Sequence, residues 1–208
     1  MTGFWDKYIV PPLIGCACSS PAIMKNRGKI VPLAHGDVLE IGCGSANLPL
    51  YNWGNIKRLS GIDPSPQLLA GAQKAAAKAG YDVNFAAGIA EALPFDSESF
   101  DSVVTTFTLC SVQDQAAAIS EARRVLRPGG MLYFAEHGKS PDPSPARWQK
   151  RIEPFWSKIA GGCQLTRGVA EPISTGGFAI VEQHGRYMKM APKWLGWVEY
   201  GQAQKAAG

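Results

Sequence analysis

The residues that are most able to take part in chemistry lie at the end of an apolar run. There Val38-Leu39-Glu40-Ile41 leads into the glycine turn Gly42-Cys43-Gly44. A second apolar run ends at Asp63. Glycines without a Cβ let a ligand approach the backbone, and an aspartate that ends the next strand can accept hydrogen bonds from both ribose hydroxyls. The pair therefore predicts a nucleoside site. A dinucleotide fingerprint would have a third glycine where Asn47 stands, which argues against a nicotinamide cofactor.

A parallel sheet would bring this turn and this aspartate to one edge. Apolar and β-branched runs predict five strands, at 37–41, 59–62, 83–86, 102–108 and 131–135. Ser65 can cap a helix at 67–79, and Asp114 can cap a second helix through Leu126, which a turn at 127–130 ends. Strands that alternate with helices and short loops indicate a doubly wound α/β sheet with helices on both faces.

The Pro- and Ser-rich segment 140–145 separates this core from a C-terminal part, and its three prolines argue against a helix there. We predict a helix at 148–159, followed by two closing strands at 178–183 and 196–203. The length of 208 residues supports one domain. Within it we expect three parts: an N-terminal arm or lid at 1–30, a cofactor-binding core at 35–137, and an acceptor-side helix with closing strands at 146–208.

Composition excludes several classes of protein. Hydrophobic residues make up 46% of the chain and charged residues 18%, so it can bury a core and is not compositionally disordered. The net charge of +4 comes without a block of like charges, and we expect no nucleic-acid partner. The uncharged stretch 8–24 is too short and too rich in proline to span a membrane, although it could touch a membrane surface.

The cysteines indicate a reducing compartment. We expect no signal peptide, and the five cysteines are odd in number, which favours the cytoplasm over a disulfide framework. Cys16 and Cys18 are separated by one residue and lack the spacing of a zinc knuckle, so we expect no bound metal. The sequence leaves the oligomeric state open.

Four blocks together resemble the class I S-adenosylmethionine-dependent methyltransferases. They lie at 38–44, 61–65, 90–95 and 124–130. The resemblance implies a mostly parallel, seven-stranded Rossmann-like sheet with an antiparallel last strand. It also implies S-adenosylmethionine as the cofactor and S-adenosylhomocysteine as the product.

The resemblance assigns cofactor contacts to this chain residue by residue. Glu40 would approach the methionine amino group, and Asp63 would hold the ribose. Many relatives have a third glycine where Ala46 stands, and often an acid or amide at Ile89 for the adenine amine, which would here rely on backbone near Ala90 or on Glu91. The full set of cofactor candidates is Glu40, Gly42, Cys43, Gly44, Asp63, Pro64, Ala90, Glu91, Thr106 and Tyr8. Tyr8 belongs to an aromatic segment that either closes over the cofactor or anchors the arm.

Three further blocks, at 108–112, 134–137 and 162–167, are similar to the methyltransferase-like thiol S-methyltransferases. Animal members carry an N-terminal membrane anchor, which we expect this chain to lack. A thiol acceptor reacts as its thiolate, and His137 is the candidate base, although its side chain could equally cap a loop. Cys110 either lines the acceptor pocket or is a small buried hydrophobe, and we interpret Cys163 as a packing residue.

The aromatic residues of the predicted C-terminal helix complete the candidate site. Trp148, Phe155 and Trp156 would form apolar walls of the acceptor pocket, or they are ordinary core. The leading hypothesis is an enzyme that methylates a small-molecule thiol. The alternatives are methylation of a quinone-type ring carbon or a lipid amine, and a non-catalytic module that binds the cofactor.

Overall fold

The computed structural model describes residues 20–189 and 191–206. The strands are β1 Gly36–Ile41, β2 Ile56–Asp63, β3 Val83–Ala87, β4 Phe100–Thr106, β5 Leu126–His137, β6 Phe178–Tyr187 and β7 Trp197–Lys205. The helices are α1 Pro21–Ile30, α2 Pro66–Ala79, α3 Gln115–Val125, α4 Pro143–Ile159, α5 Ala170–Thr175 and α6 Lys193–Gly196. Most of the predicted N-terminal arm, including Tyr8, lies outside the described residues.

The seven strands form one sheet in the order β3-β2-β1-β4-β5-β7-β6. Strands β1 to β5 are parallel to one another. The last strand, β7, lies antiparallel between β5 and β6. The predicted fold class, an α/β sheet of seven strands with an antiparallel last strand, is confirmed. The carboxyl ends of β1, β2, β4 and β5 consequently meet at one edge.

Helices cover both faces of the sheet, as predicted. On one face Leu39 packs with Phe134 and with Ile119 of α3. On the other face Val38 packs with Ile30 of α1 and with residues of α2. Adjacent residues of β1 therefore enter opposite cores, because successive side chains of a strand point to opposite sides.

The two helices of the core begin at the predicted caps. The Ser65 side chain accepts a hydrogen bond from the backbone N–H of Leu68 at 3.3 Å, and Gly80 ends α2 with a φ of 73°. The Asp114 carboxylate accepts from the N–H of Ala117 at 3.0 Å. These caps fix where each helix leaves the strand edge that carries the site.

The prediction that the prolines of segment 140–145 prevent a helix is wrong. Helix α4 begins at Pro143, so Pro143 and Pro145 both lie in its first turn. The first N–H groups of a helix have no intrahelical partner, so a proline there loses nothing. The helix consequently starts five residues earlier than predicted, and it also contains Pro154.

The bounds of every strand differ from the prediction by one residue or more, and the largest differences lie in β2, β5 and β6. Strand β4 ends at Thr106 because Phe107 has a φ of 55°, which is outside the extended region. Residues 127–130 form an irregularity inside β5 rather than a separate turn, since β5 already pairs with β4 at Leu126 and resumes at Met131. The two closing strands are longer than predicted. Within residues 20–189 and 191–206, no helix combines the length and apolar character that a membrane crossing requires.

Candidate functional site

The glycine turn after β1 is hydrogen-bonded to β2 and has free space beside its second glycine. The backbone N–H groups of Gly42 and Cys43 both donate to the carbonyl oxygen of Ile62, at 2.9 and 3.0 Å. Gly42 has a φ of 75°, and a Cβ there would collide with the Thr108 side chain. A Cβ on Gly44 would meet no described atom within 4 Å. The turn therefore has free space at Gly44, where a ligand can approach the backbone.

Asp63 stands beside this turn at the end of β2, where the sequence predicted it. Its side chain is buried, and Oδ1 accepts from the backbone N–H of Ser65 at 2.8 Å. Burial raises the pKa of Asp63 from 3.8 to about 6. No group of the described residues donates a hydrogen bond to its second oxygen, Oδ2, which leaves this oxygen available to ligand hydroxyls.

Glu40 is the second carboxylate of this edge, and both of its oxygens are occupied. Oε1 accepts from the Asn47 amide at 3.0 Å, and Oε2 accepts from the Tyr51 hydroxyl at 2.8 Å. Burial raises the pKa of Glu40 from 4.5 to about 7, and the nearby charge of Asp63 acts in the same direction. Glu40 can therefore change its charge near neutral pH, depending on what binds beside it.

Asn47 is the centre of this buried network, a role that the sequence did not reveal. Its amide donates to Glu40 and, at 3.0 Å, to the hydroxyl of Thr106. Its oxygen accepts from Nη1 of Arg27 at 2.8 Å. Arg27 is buried, and its Nε has no partner among the described residues. Arg27, Asn47 and Tyr51 were missed because helix α1 and the loop after the turn converge only in the fold.

The remaining cofactor candidates have mixed surroundings. Ala90 is buried, whereas Ile89 is 50% exposed. The Glu91 carboxylate accepts from the backbone N–H groups of Gln113 and Asp114, at 2.7 and 3.2 Å, and so holds the start of α3. Pro64 is exposed. Cys43 is buried against Gly61, and burial raises the pKa of its thiol well above the usual range.

Glu136 orders the loop that follows β4. This fully buried carboxylate accepts from the Thr105 hydroxyl at 2.8 Å and from the backbone N–H groups of Thr108 and Cys110, at 3.1 and 3.4 Å. Thr108 also donates to the carbonyl oxygen of Ile41 at 3.2 Å. The loop therefore links the glycine turn of β1 to the end of β5. Glu136 lies in one of the blocks quoted above, but nothing in the sequence distinguished it from its neighbours.

The fold brings three predicted or noted residues together at the end of β5. Ligand atoms of Cys110, His137 and Cys163 lie within 4.8 Å of one another. Nδ1 of His137 is 3.8 Å from the sulfur of Cys163. Cys110 lies in the loop rather than at the end of β4, and the Cys163 thiol and burial together raise the pKa of its thiol. We refer to these three residues as the Cys-His cluster.

The three aromatic side chains that α4 was predicted to offer the acceptor differ in their exposure. Phe155 is 67% exposed and Trp148 is 51% exposed. Trp148 borders an open surface cavity of about 470 Å³, together with Trp194. Trp156 is partly buried and packs against the group of buried residues formed by Cys110, Cys163 and Leu165. Of the three aromatic residues predicted to line the acceptor pocket, Trp156 is the one that lies beside the Cys-His cluster.

Comparison with known proteins supports the interpretation of this edge. A family model described as a methyltransferase domain matches residues 39–134. Thiol S-methyltransferase TMT1B of Homo sapiens is 36% identical over 169 residues, which are 79% of this chain and 66% of that protein. Demethylmenaquinone methyltransferase of Roseiflexus castenholzii is 40% identical over 137 residues, which are 62% of this chain and 56% of that protein.

A solved structure shows the same fold. A SAM-dependent methyltransferase from Methanosarcina mazei has a TM-score of 0.66 and 23% identity, over 83% of this chain and 93% of that one. The chain spans less than two thirds of the length of the curated relatives described above. The domain match, the relatives and the sheet order agree, and we conclude that the chain belongs to the class I S-adenosylmethionine-dependent methyltransferases.

Proposed function

We propose that this protein transfers the methyl group of S-adenosylmethionine to a small-molecule thiol in the cytoplasm. The observation that carries the proposal is the open glycine turn at Gly44 with the buried carboxylate of Asp63 beside it. The 36% sequence identity to a thiol S-methyltransferase supports a thiol as the acceptor. The odd number of cysteines in the sequence, five, favours a reducing compartment.

The cofactor supplies an activated methyl group on a sulfonium, so the protein's task is to bind and align. Asp63 accepts hydrogen bonds from the ribose hydroxyls. Glu40, with Asn47, meets the positively charged amino group of the methionine part, which favours the ionised carboxylate. Arg27 is the buried positive charge of the same network and is our candidate partner for the methionine carboxylate.

The acceptor approaches from the side of β4 and β5. Here the loop held by Glu136 places Cys110 near His137, and Thr108 connects that loop to the glycine turn. A thiol must lose its proton before it attacks the methyl carbon. His137 lies at this edge, and its position supports a role in removing that proton. General-base catalysis is the simplest form of such a role.

Calorimetry with S-adenosylhomocysteine tests the cofactor part of the proposal. Asp63→Ala should weaken binding by about 1–3 kcal/mol, because the ribose loses a charged acceptor. Asp82→Ala is the matched control, since Asp82 is an exposed aspartate at the start of β3 and lies at the opposite edge of the sheet. Folded wild-type protein that does not bind S-adenosylhomocysteine would refute the proposal.

A panel of acceptors tests the second part. With simple thiols as acceptors, the enzyme should convert S-adenosylmethionine to S-adenosylhomocysteine without added lipid. If the protein binds the cofactor tightly but methylates no thiol, amine, hydroxyl or carbon acceptor, it would instead be a non-catalytic binding module.

A quinone-type ring carbon is the second candidate acceptor. The identity to demethylmenaquinone methyltransferase favours it. The exposed side chains of Trp148, Phe155 and Ile159 also support it, because they repeat at helical spacing on one face of α4 and could contact an apolar partner such as a membrane surface. A lipid amine would use the same contact. Sedimentation with liposomes, followed by the acceptor panel with and without lipid, separates these acceptors from simple thiols.

A further inference from the structure

Three metal-ligating side chains converge in the Cys-His cluster from distant parts of the chain. Cys110 comes from the loop after β4, His137 from the end of β5, and Cys163 from the segment after α4. Their ligand atoms lie within 4.8 Å of one another, and Cys163 Sγ is 3.8 Å from His137 Nδ1. Two ligand atoms on one tetrahedral zinc ion lie about 3.5–3.8 Å apart, given bond lengths of ~2.0–2.3 Å. A small contraction of the cluster would therefore suffice.

The surroundings of the cluster also suit a bound cation. Nε2 of His137 and Nε1 of Trp156 are buried and have no hydrogen-bond partner among residues 20–189 and 191–206. Trp156 packs against the buried group formed by Cys110, Cys163 and Leu165. Buried N–H groups normally find an acceptor, and metal-bound thiolates would offer the N–H of Trp156 charged acceptors, whereas neutral thiols are weak acceptors. Two thiolates and an imidazole are the ligands that zinc prefers.

We propose that Cys110, His137 and Cys163 form a three-ligand zinc site whose fourth position takes the sulfur of the methyl acceptor. The two cysteines lose their protons to solvent when the ion binds. Three protein ligands with one open position are typical of a catalytic rather than a structural zinc site. The expectation of no metal rested on Cys16 and Cys18, which are neighbours in sequence, whereas these three ligands become neighbours only in the fold.

The acceptor role rests on the proposed function, and the reaction balances as follows. The acceptor thiol displaces water from zinc and binds as a thiolate, with its proton released to solvent. A sulfur lone pair then forms a bond to the methyl carbon while the bond from that carbon to the sulfonium sulfur breaks. That electron pair stays on S-adenosylhomocysteine. The neutral thioether leaves, and water returns. His137 is then a ligand of the ion rather than the base.

Metal binding is measured first, on the reduced full-length chain. Zinc affinity, determined by competition with a chromophoric chelator, should fall at least about tenfold in Cys110→Ser, Cys163→Ser and His137→Gln. Cys43→Ala and His184→Gln are the matched controls, since they remove a buried thiol and an exposed imidazole outside the cluster. Both controls should keep the affinity of wild type.

Cobalt substitution keeps the test decisive if the cluster variants fail to fold. Wild-type protein loaded with Co²⁺ should show thiolate-to-cobalt charge-transfer absorption, and adding a thiol acceptor should change it whereas the methylated thioether should not. Folded protein that binds S-adenosylhomocysteine but neither Zn²⁺ nor Co²⁺, or that contains a Cys110–Cys163 disulfide instead, would overturn the site and leave the proposed function standing. A spectrum that thiols do not change would overturn the acceptor role. Failure to bind S-adenosylhomocysteine would instead refute the proposed function.

Discussion

Two buried glutamates at the same edge of the sheet are held in different ways. Glu40 of β1 accepts hydrogen bonds from two side chains, those of Asn47 and Tyr51. Glu136 of β5 accepts chiefly from backbone N–H groups of the loop that follows β4. Both side chains are at most 2% exposed, so water does not screen either carboxylate.

The difference lies in what the partners can do when the charge changes. The hydroxyl of Tyr51 can donate or accept a hydrogen bond, so it can serve an ionised or a neutral Glu40. A backbone N–H can only donate, so the loop around Glu136 needs an acceptor at all times. The cofactor side of the edge is therefore built to change charge on binding, whereas the acceptor side is built to keep one backbone shape.

Glu40→Gln tests the cofactor side of the edge and should have the largest effect on the free energy of unfolding. The pKa of Glu40 is about 7 in the native state against 4.5 ordinarily, so the unfolded chain ionises first and the native state loses stability as pH rises between these values. The variant does not titrate there. Without ligand it should match wild type below pH 4.5 and be more stable by about 3 kcal/mol near pH 8. Urea unfolding at both pH values measures this, and a difference that does not vary with pH would contradict it.

Glu136→Gln is the matched change on the other side and should act in the opposite direction. The new NH₂ group would face a backbone N–H of the loop, which then lacks an acceptor. Burial raises the pKa of Glu136 too, so the variant also avoids burying a charge, but the fixed donors decide the sign. We expect a loss of about 1–3 kcal/mol at neutral pH by urea unfolding. If Glu136→Gln instead stabilised the protein as much as Glu40→Gln does, the proposed difference between the cofactor side and the acceptor side would be contradicted.

The comparison also predicts how cofactor binding depends on pH. The amino group of S-adenosylhomocysteine favours ionised Glu40, so binding releases the proton that Glu40 holds below its pKa of about 7. Affinity should therefore fall about ten- to twentyfold from pH 8 to pH 6, and more steeply below pH 6, because Asp63, with a pKa of about 6, also takes up a proton. Calorimetry in buffers of different ionisation enthalpy measures affinity and proton release together. Glu40→Gln should bind more weakly, with an affinity that is nearly flat from pH 8 to pH 7.

The part of the site that the sequence predicted is the part built from adjacent residues. The glycine turn lies next to Glu40 in the chain, and Asp63 follows one strand later, so strand pattern and spacing were enough to place all three. The helix caps at Ser65 and Asp114 follow from similarly local signals, and the seven strands with an antiparallel last strand follow from the family resemblance.

The part that the sequence did not predict is built from residues that are distant in the chain. Arg27 meets Asn47 across 20 positions, and Cys110 meets Cys163 only because two loops fold onto the end of β5. The start of α4 was missed for another reason. Proline is unfavourable within a helix but harmless in its first turn, and composition alone does not distinguish these positions.

Tyr51→Phe isolates the adaptable partner itself and should have the smallest effect. The change removes the hydroxyl that donates to Glu40 at 2.8 Å, while the ring can stay packed in its core beside Leu48. We expect a loss of about 0.5–1.5 kcal/mol in unfolding free energy at pH 8, the net contribution of one hydrogen bond. Because this hydrogen bond lowers the pKa of Glu40, the pH at which S-adenosylhomocysteine affinity begins to fall should move upward. An unchanged pH profile, with the hydrogen bond shown to be lost, would mean that Glu40 does not titrate on binding, and the charge change would then have to be assigned to Asp63.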